Sequence, residues 1–370
     1  MRIAHIGNLC NLGFIYCSFL RKMGVDAHLY IHEKMDVTPI QWDGFEDETN
    51  ASWIHRYPRN PLAMVLNQIP LGLELAEYDL VHSWCCSLLP PLELILTLKG
   101  TPYFGYATGS DLREAALTNT LNGIRIRRHF RNAAHVAHHH DDPLIEAAEK
   151  IGLKGCSVLK FPVGETAPKD YDVNPDRETV FFMPSRFHFT PTEEGQVYFK
   201  NNDRFLRAFG KYISNGGKAR LIALRRGGDL EAALKMIKDM GIGEFITWKE
   251  EMTPYELAKS FYDCDVVVDQ FTGLSYPIPG GMIPLEAMAH GTPVIASFDE
   301  ERNRAEYGTA APILHALTEK EIYERIVQCE DKEFVKQQGL TSKKWVTENH
   351  GWKTIMTQMT DRYSKAIQKS

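Results

Sequence analysis

The sequence predicts an α/β protein made of two doubly wound, parallel-sheet domains. Apolar runs of strand length alternate with stretches of helical periodicity along most of the chain. At 370 residues the chain exceeds one ordinary domain of about 100–200 residues. The alternation breaks once, over residues 162–177, where Pro and Asp recur and periodicity is weak; this reads as a linker.

The elements follow in order. Residues 2–6 read as a strand and 7–13 as a loop. Residues 14–23 form a helix closed by Gly24, and 27–31 the next strand. This strand–loop–helix–strand unit is the mark of a parallel sheet. Residues 80–84, 103–106 and 134–138 are further strands, 142–150 a helix ending before Gly152, and 158–161 another strand. Past the linker, strands at 180–183, 219–224, 245–248, 265–269 and 294–297 alternate with helices at 203–214, 230–240, 254–262 and from Met282 to Gly291. A last helix spans 353–368. The division expected is a first domain at 1–164, a linker at 165–177 and a second domain at 178–345. Residues 346–370 pack back on the first domain. A ligand cleft is expected between the carboxyl ends of the two sheets, where open α/β folds bind ligands.

Composition narrows the class. Hydrophobic residues make up 44% and charged residues 24%, as in soluble globular proteins. A net charge of -6 argues against a broad nucleic-acid or anionic-membrane footprint, though a local basic cleft fits. Seven cysteines with no CxxC pair read as reduced thiols in a cytoplasmic protein. The N-terminus lacks the apolar length of a signal peptide. The longest apolar run, 87–98, is broken by Pro90, Pro91 and Glu93 and reaches about half of a membrane span. Peripheral membrane contact and oligomeric state stay open.

The most informative stretch is SYPIPGGMIPLEAMAHGTPVIAS, residues 275–297. It places Gly280 and Gly281 after a strand and before a helix, with Pro284 in the first turn and a lone acid, Glu286, about one turn in. Backbone N–H groups of Gly281, Met282 and Ile283 and the helix dipole favour an anion there. A carboxylate at Glu286 could accept two hydroxyl hydrogen bonds from a ribose. The site therefore suits a nucleotide; the alternative is a satisfied core network, in which a lone acid is expensive.

The run PLEAMAHGTPVIAS resembles the nucleotide-sugar signature of family 4 glycosyltransferases, which have the two-domain, Rossmann-like GT-B fold and a retaining mechanism. The resemblance is strong over 180–300 and diffuse over 1–160. It implies that Glu286 holds the nucleotide ribose and that Arg186 and Lys200 grip the diphosphate. It also implies that the loop ending at Gly13 touches the diphosphate through its backbone, and that no metal or other cofactor is needed beyond the nucleoside diphosphate sugar itself. Arg186 follows a strand end and Lys200 precedes a helix, positions from which two cations could neutralise a leaving diphosphate. A solvated surface cation is the alternative for each. Trp248 is a candidate base platform, with a plain core aromatic as the alternative.

The sequence departs from the family pattern twice. Ile278 stands where relatives have a second acid beside the donor sugar; Asp269 is a possible substitute. Thr108, in ATGSDLRE at 107–114, stands where relatives have histidine. Asp111 and Glu114 in that stretch have the spacing of a capping box, and Arg113 could grip an anionic acceptor. His135, His138, His139 and His140 invite a zinc reading, but adjacent strand residues alternate faces and converge poorly. The function expected is transfer of a sugar from a nucleoside diphosphate sugar to a hydroxyl acceptor. A nucleotide-sugar-binding protein without transferase activity and a GT-B epimerase are the alternatives. A dehydrogenase lacks its glycine fingerprint here.

Overall fold

A computed structural model describes residues 1–40, 42–58, 61–139, 142–153, 155–190, 199–272 and 282–368. The chain forms two compact units. One holds the chain up to Pro162, less the short 42–44 segment, and the C-terminal stretch from Trp352. The other holds that segment and Val163–Gly351.

The first unit runs β1 (Arg2–Ile6), α1 (Leu12–Lys22), β2 (Asp26–His32), β3 (Ile54–Tyr57), α2 (Pro61–Leu75), β4 (Leu80–Trp84), α3 (Pro90–Lys99), β5 (Tyr103–Ala107), a one-turn α4 (Ser110–Arg113), α5 (Leu121–Asn132), β6 (His135–His138), α6 (Asp142–Lys150) and β7 (Ser157–Val158). The strands make one parallel sheet in the order β3-β2-β1-β4-β5-β6-β7. Strands β1 and β4 lie at its centre, and their apolar residues are fully buried, as parallel sheets covered on both faces require. They also bury His5 and His82, held as neutral rings by burial, which lowers the His5 pKa to about 3 and that of His82 well below its usual value. Trp84 Nε1 donates to His5 Nδ1 at 3.0 Å, and His82 Nδ1 lies 2.5 Å from the Tyr363 hydroxyl. Tyr363 belongs to the C-terminal helix, Trp352–Gln368, so this buried cluster seats that helix on the first sheet.

The second unit runs β8 (Thr179–Met183), α7 (Asp203–Ser214), β9 (Ala219–Leu224), α8 (Leu230–Asp239), β10 (Ile246–Lys249), α9 (Pro254–Asp263), β11 (Val266–Val268), α10 (Met282–Ala289), β12 (Val294–Ala296), α11 (Glu300–Tyr307), β13 (Leu314–His315), α12 (Glu319–Gln328) and α13 (Lys332–His350); the C-terminal helix is α14. Its sheet is also parallel, in the order β10-β9-β8-β11-β12-β13. Phe181, Phe187, Phe205 and Phe209 fill the core on the α7 side.

The structure differs from the sequence reading in several places. Helix α13 continues to His350, so the chain returns to the first unit at Gly351–Trp352 and not at 346. The stretch expected as a linker has no helix or strand, yet it is tied to the second unit. Lys169 Nζ donates to the Phe261 and Cys264 carbonyls and to Thr292 Oγ1, Tyr171 OH donates to the Gly291 carbonyl, and Arg177 pairs with Asp265. Strand β7 ends at Val158, short of the expected 161.

Helix α1 begins against the loop that precedes it. A Cβ on Gly13 would lie 2.3 Å from the Gly7 carbonyl oxygen, a backbone atom that cannot swing aside. Gly13→Ala should therefore destabilise the protein by roughly 1–3 kcal/mol, as overpacking does. Chemical denaturation checks this; an unchanged midpoint would contradict the close approach.

Candidate functional site

In the second sheet, β8 pairs with β9 on one side and β11 on the other. The strand order reverses at the β8–β11 boundary, and ligands of open α/β sheets bind at the carboxyl ends of such strands. Residues from both strands are knitted together there. Arg186 follows β8 through Pro184 and Ser185; its carbonyl accepts from Asn202 Nδ2 at 3.0 Å. Asn202 immediately precedes α7. The Lys200 carbonyl accepts from the Phe271 N–H at 2.8 Å, just past β11, and Lys200 Nζ donates to Gln270 Oε1 at 2.6 Å. Arg186 is exposed and Lys200 half-buried. Neither pairs with a carboxylate among the described residues.

The same place concentrates unpaired polar atoms. Asp269, directly after β11, is buried and accepts from Ser185 Oγ on one carboxyl oxygen. Its Oδ2 has no hydrogen-bond partner among the described residues, nor have Gln270 Nε2, Asn202 Oδ1 and Arg226 Nε. Arg226 belongs to the group because its terminal nitrogen donates to the Pro184 carbonyl at 3.2 Å. Each unpaired buried group costs about 1–3 kcal/mol, so their gathering at one strand boundary marks a surface shaped for something other than stability.

Helix α10 follows β11. Pro284, Leu285, Ala287, Met288 and Ala289 are buried, whereas Met282, Ile283 and Glu286 are half-buried. Tyr171, bonded to the Gly291 carbonyl, and α13, packed along α10, hold the helix in place. The Glu286 carboxyl has no hydrogen-bond or ionic partner among the described residues, and burial pushes its pKa up to about 7. Gly280, Gly281 and Ile278 lie outside the described residues.

Trp248 sits on the edge strand β10, half-buried, with its ring centroid 5.9 Å from that of Phe187 and the Arg225 guanidinium 5.8 Å from its own centroid. It packs on the hydrophobic core and presents a partly open face. Sequence reasoning singled out Arg186, Lys200, Glu286 and, as a substitute acid, Asp269. It missed Ser185, Asn202, Gln270 and Arg226. An Asp-Gln pair placed directly after an all-valine strand was the available signal for Gln270.

In the first unit, Gly13 is buried in the first turn of α1. The Asp111–Glu114 capping box is not formed. Asp111 accepts instead from the backbone N–H groups of Thr108, Gly109 and Leu112, because α4 is a single turn and the carboxylate folds back over the preceding loop. Thr108 is half-buried, and Arg113 pairs with the neighbouring Glu114. His135 meets Ser157 Oγ at 2.8 Å and His138 Nδ1 lies 2.8 Å from the His139 carbonyl; His140 is outside the described residues. No group of three potential metal ligands gathers among the described residues.

No protein-family model and no curated protein matches the sequence. Solved structures do match, over the whole chain. HepE from Anabaena, in complex with UDP and glucose, is similar with a TM-score of 0.67 at 14% identity, covering 99% of this chain and 100% of that one. A glycosyltransferase from Rickettsia africae matches with a TM-score of 0.66 at 12% identity, covering 100% and 99%. Sucrose-phosphate synthase from Thermosynechococcus elongatus matches with a TM-score of 0.61 at 15% identity, covering 100% of both chains. The chain has the GT-B fold. In this GT-B protein no helix among the described residues is long and apolar enough to cross a membrane.

Glu286 gives the site a measurable signature. With a native pKa near 7 against an ordinary 4.5, the folded protein binds more protons than the unfolded chain between those values. Stability therefore falls as pH rises through that window and levels off above it. Glu286→Gln carries no charge and should remove this loss, making the protein more stable than the native one at pH 8 by about 1–3 kcal/mol and nearly equal at pH 4.5. Thermal unfolding at the two pH values checks this; a destabilised Gln variant at pH 8 would contradict the unpaired carboxyl.

Proposed function

We propose that this chain is a retaining glycosyltransferase of the family 4 type, moving a sugar from a nucleoside diphosphate sugar to a hydroxyl acceptor without a metal. One observation carries the reading. Glu286, one turn into the helix after the switch-point strand, keeps a carboxyl with no partner among the described residues in a place where charge is costly. Two ribose hydroxyls donating to that carboxylate would supply the missing partners. The GT-B neighbours support it: HepE was solved with UDP and with UDP-glucose.

The rest of the site takes roles in the same reading. Arg186 and Lys200, which pair with no carboxylate among the described residues, face the diphosphate and stabilise the charge on the departing nucleotide. Met282 and Ile283, in the first turn of α10, offer backbone N–H groups to it. Trp248 offers its open face to the base. The leaving phosphate itself takes the acceptor proton, and the new bond forms on the face from which the nucleotide departs. Seven free cysteines agree with a cytoplasmic setting.

Arg186→Ala and Lys200→Ala should each weaken binding of UDP, the first diphosphate to try, by roughly 10- to 100-fold, as for loss of a hydrogen bond to a charged group. Uridine binding should change little. Calorimetry with both ligands checks this, and equal losses would remove the two cations from the diphosphate. A radiolabelled-donor assay then separates transfer from mere binding.

A further inference from the structure

A cavity of about 170 Å³ lies at the carboxyl edge of the first sheet. Gly7 just past β1, His32 at the end of β2, Tyr57 at the end of β3, and Cys86 and Ser87 just past β4 all reach it. Ligands of open α/β sheets bind at such strand ends. The backbone is strained along the same edge. Among the described residues, five non-glycines have a positive φ, which L-residues rarely adopt. Cys10 and Asn11 lie between β1 and α1, Cys85 and Cys86 follow β4, and Asn201 lies between β8 and α7 in the second unit. Residues held this way cluster at binding sites. Cys86, at φ 51°, is itself one wall of the cavity.

The walls decide what fits. Met35, Tyr57, Leu71 and Leu92 make the cavity mostly apolar. The polar groups around it are largely engaged. Ser87 Oγ donates to the Trp84 carbonyl, and Arg125 gives Nη1 to the Cys86 carbonyl and Nε and Nη2 to Asn122 Oδ1. His32 and Asn67 have interactions of their own. Gln68 Oε1, by contrast, is buried with no hydrogen-bond partner among the described residues. An anion is not favoured here, because the Arg125 donors are taken and Asp111 and Glu114 border the adjoining depression with it. A sugar ring is not favoured either. It carries a hydroxyl on nearly every carbon, and the walls leave few hydrogen bonds to be made. An apolar ring fits by size, since a cavity of about 150 Å³ with aliphatic walls holds one benzene.

We propose that this cavity holds an uncharged aromatic ring of the acceptor, and that an O–H or N–H on the ring donates to Gln68 Oε1. The inference rests on the glycosyltransferase reading only in calling the ligand an acceptor. The ring packs on Met35, Tyr57, Leu71 and Leu92, where the thioether and the tyrosine ring favour an aromatic over a branched alkyl group. The hydroxyl that receives the sugar belongs to the rest of the acceptor, outside the cavity, because a group bonded to Gln68 is shielded within it. Cys86 and Arg125 line both the cavity and the adjoining depression. Ser110, Thr118 and Asn122 border that depression, and their polar side chains suit the hydroxylated part.

The test is calorimetric titration of the full chain with methyl, phenyl and 4-hydroxyphenyl β-glucoside. No nucleotide is present, so a failed ring titration and a failed UDP titration are separate results. The native protein should bind phenyl β-glucoside at least about tenfold more tightly than methyl β-glucoside, as burial of a ring does. The 4-hydroxyphenyl compound should bind about three- to tenfold more tightly again, as one hydrogen bond does. Met35→Trp fills the cavity from a half-buried position after β2 and should make all three bind alike. Gln68→Leu, of similar size, should remove the advantage of the 4-hydroxyl group and keep that of the ring. Both variants should unfold thermally like the native protein. Equal native affinities for the methyl and phenyl compounds, or no binding of any of the three, overturn the proposal. So does a ring preference that folded Met35→Trp retains, or a 4-hydroxyl preference that Gln68→Leu retains.

Discussion

The side-by-side placement of β8 and β11 is the constraint on which the site depends. From β8 the chain crosses to β9 and from β11 to β12, in opposite directions along the sheet. Right-handed crossovers then put α7 and α10 on opposite faces. Between them the carboxyl ends of the two strands are left without a covering connection. Everything assigned to the site hangs from this boundary: Ser185 and Arg186 end β8, Asp269 and Gln270 end β11, and Lys200 is hydrogen-bonded to both sides. The first sheet repeats the arrangement with β1 and β4, where the segment from Gly7 to Asn11 leads from β1 into α1.

Charge satisfaction separates structure from function in this chain. Lys169 is mostly buried, and three oxygens take its ammonium. Asp265 is paired with Arg177 and also accepts from the Val180 N–H. The His5–His82–Trp84–Tyr363 cluster avoids charge altogether. These groups hold segments in place and have partners, the buried His82 Nε2 excepted. Among the described residues, Arg186, Lys200, Asp269 Oδ2 and Glu286 lack charged partners or, for the acids, any partner at all on that atom. A fold optimised only for stability would have neutralised or replaced them.

Much of the fold was legible because strongly buried parallel strands leave uniform apolar runs. Strands β4 and β9 and helices α6 and α7 fall on the residues the pattern indicates. The misses have local causes. Strand β3, IHRY, is a four-residue edge strand without burial contrast. Helix α2 contains Pro70, which reads as a breaker. Helix α5 is too rich in arginine to show an apolar stripe, although its buried face, Gly123, Ile126, His129 and Phe130, is there. In the site, Arg186, Lys200 and Glu286 were reachable because a local motif places them. Asn202, Gln270 and Arg226 were not, since their importance arises only when β8, β11 and α7 meet.

The central claim is that the Glu286 carboxyl receives a sugar hydroxyl pair from a nucleotide. A ligand that donates hydrogen bonds to the carboxylate must draw its pKa back down from about 7. Calorimetric titration of UDP-glucose near pH 7, in buffers of different ionisation enthalpy, counts the protons released on binding. The diphosphate of such a donor does not itself titrate there. The account predicts release of a substantial fraction of one proton by the native protein and none by Glu286→Gln. Binding without proton release in the native protein, or with the same release in the variant, would contradict it.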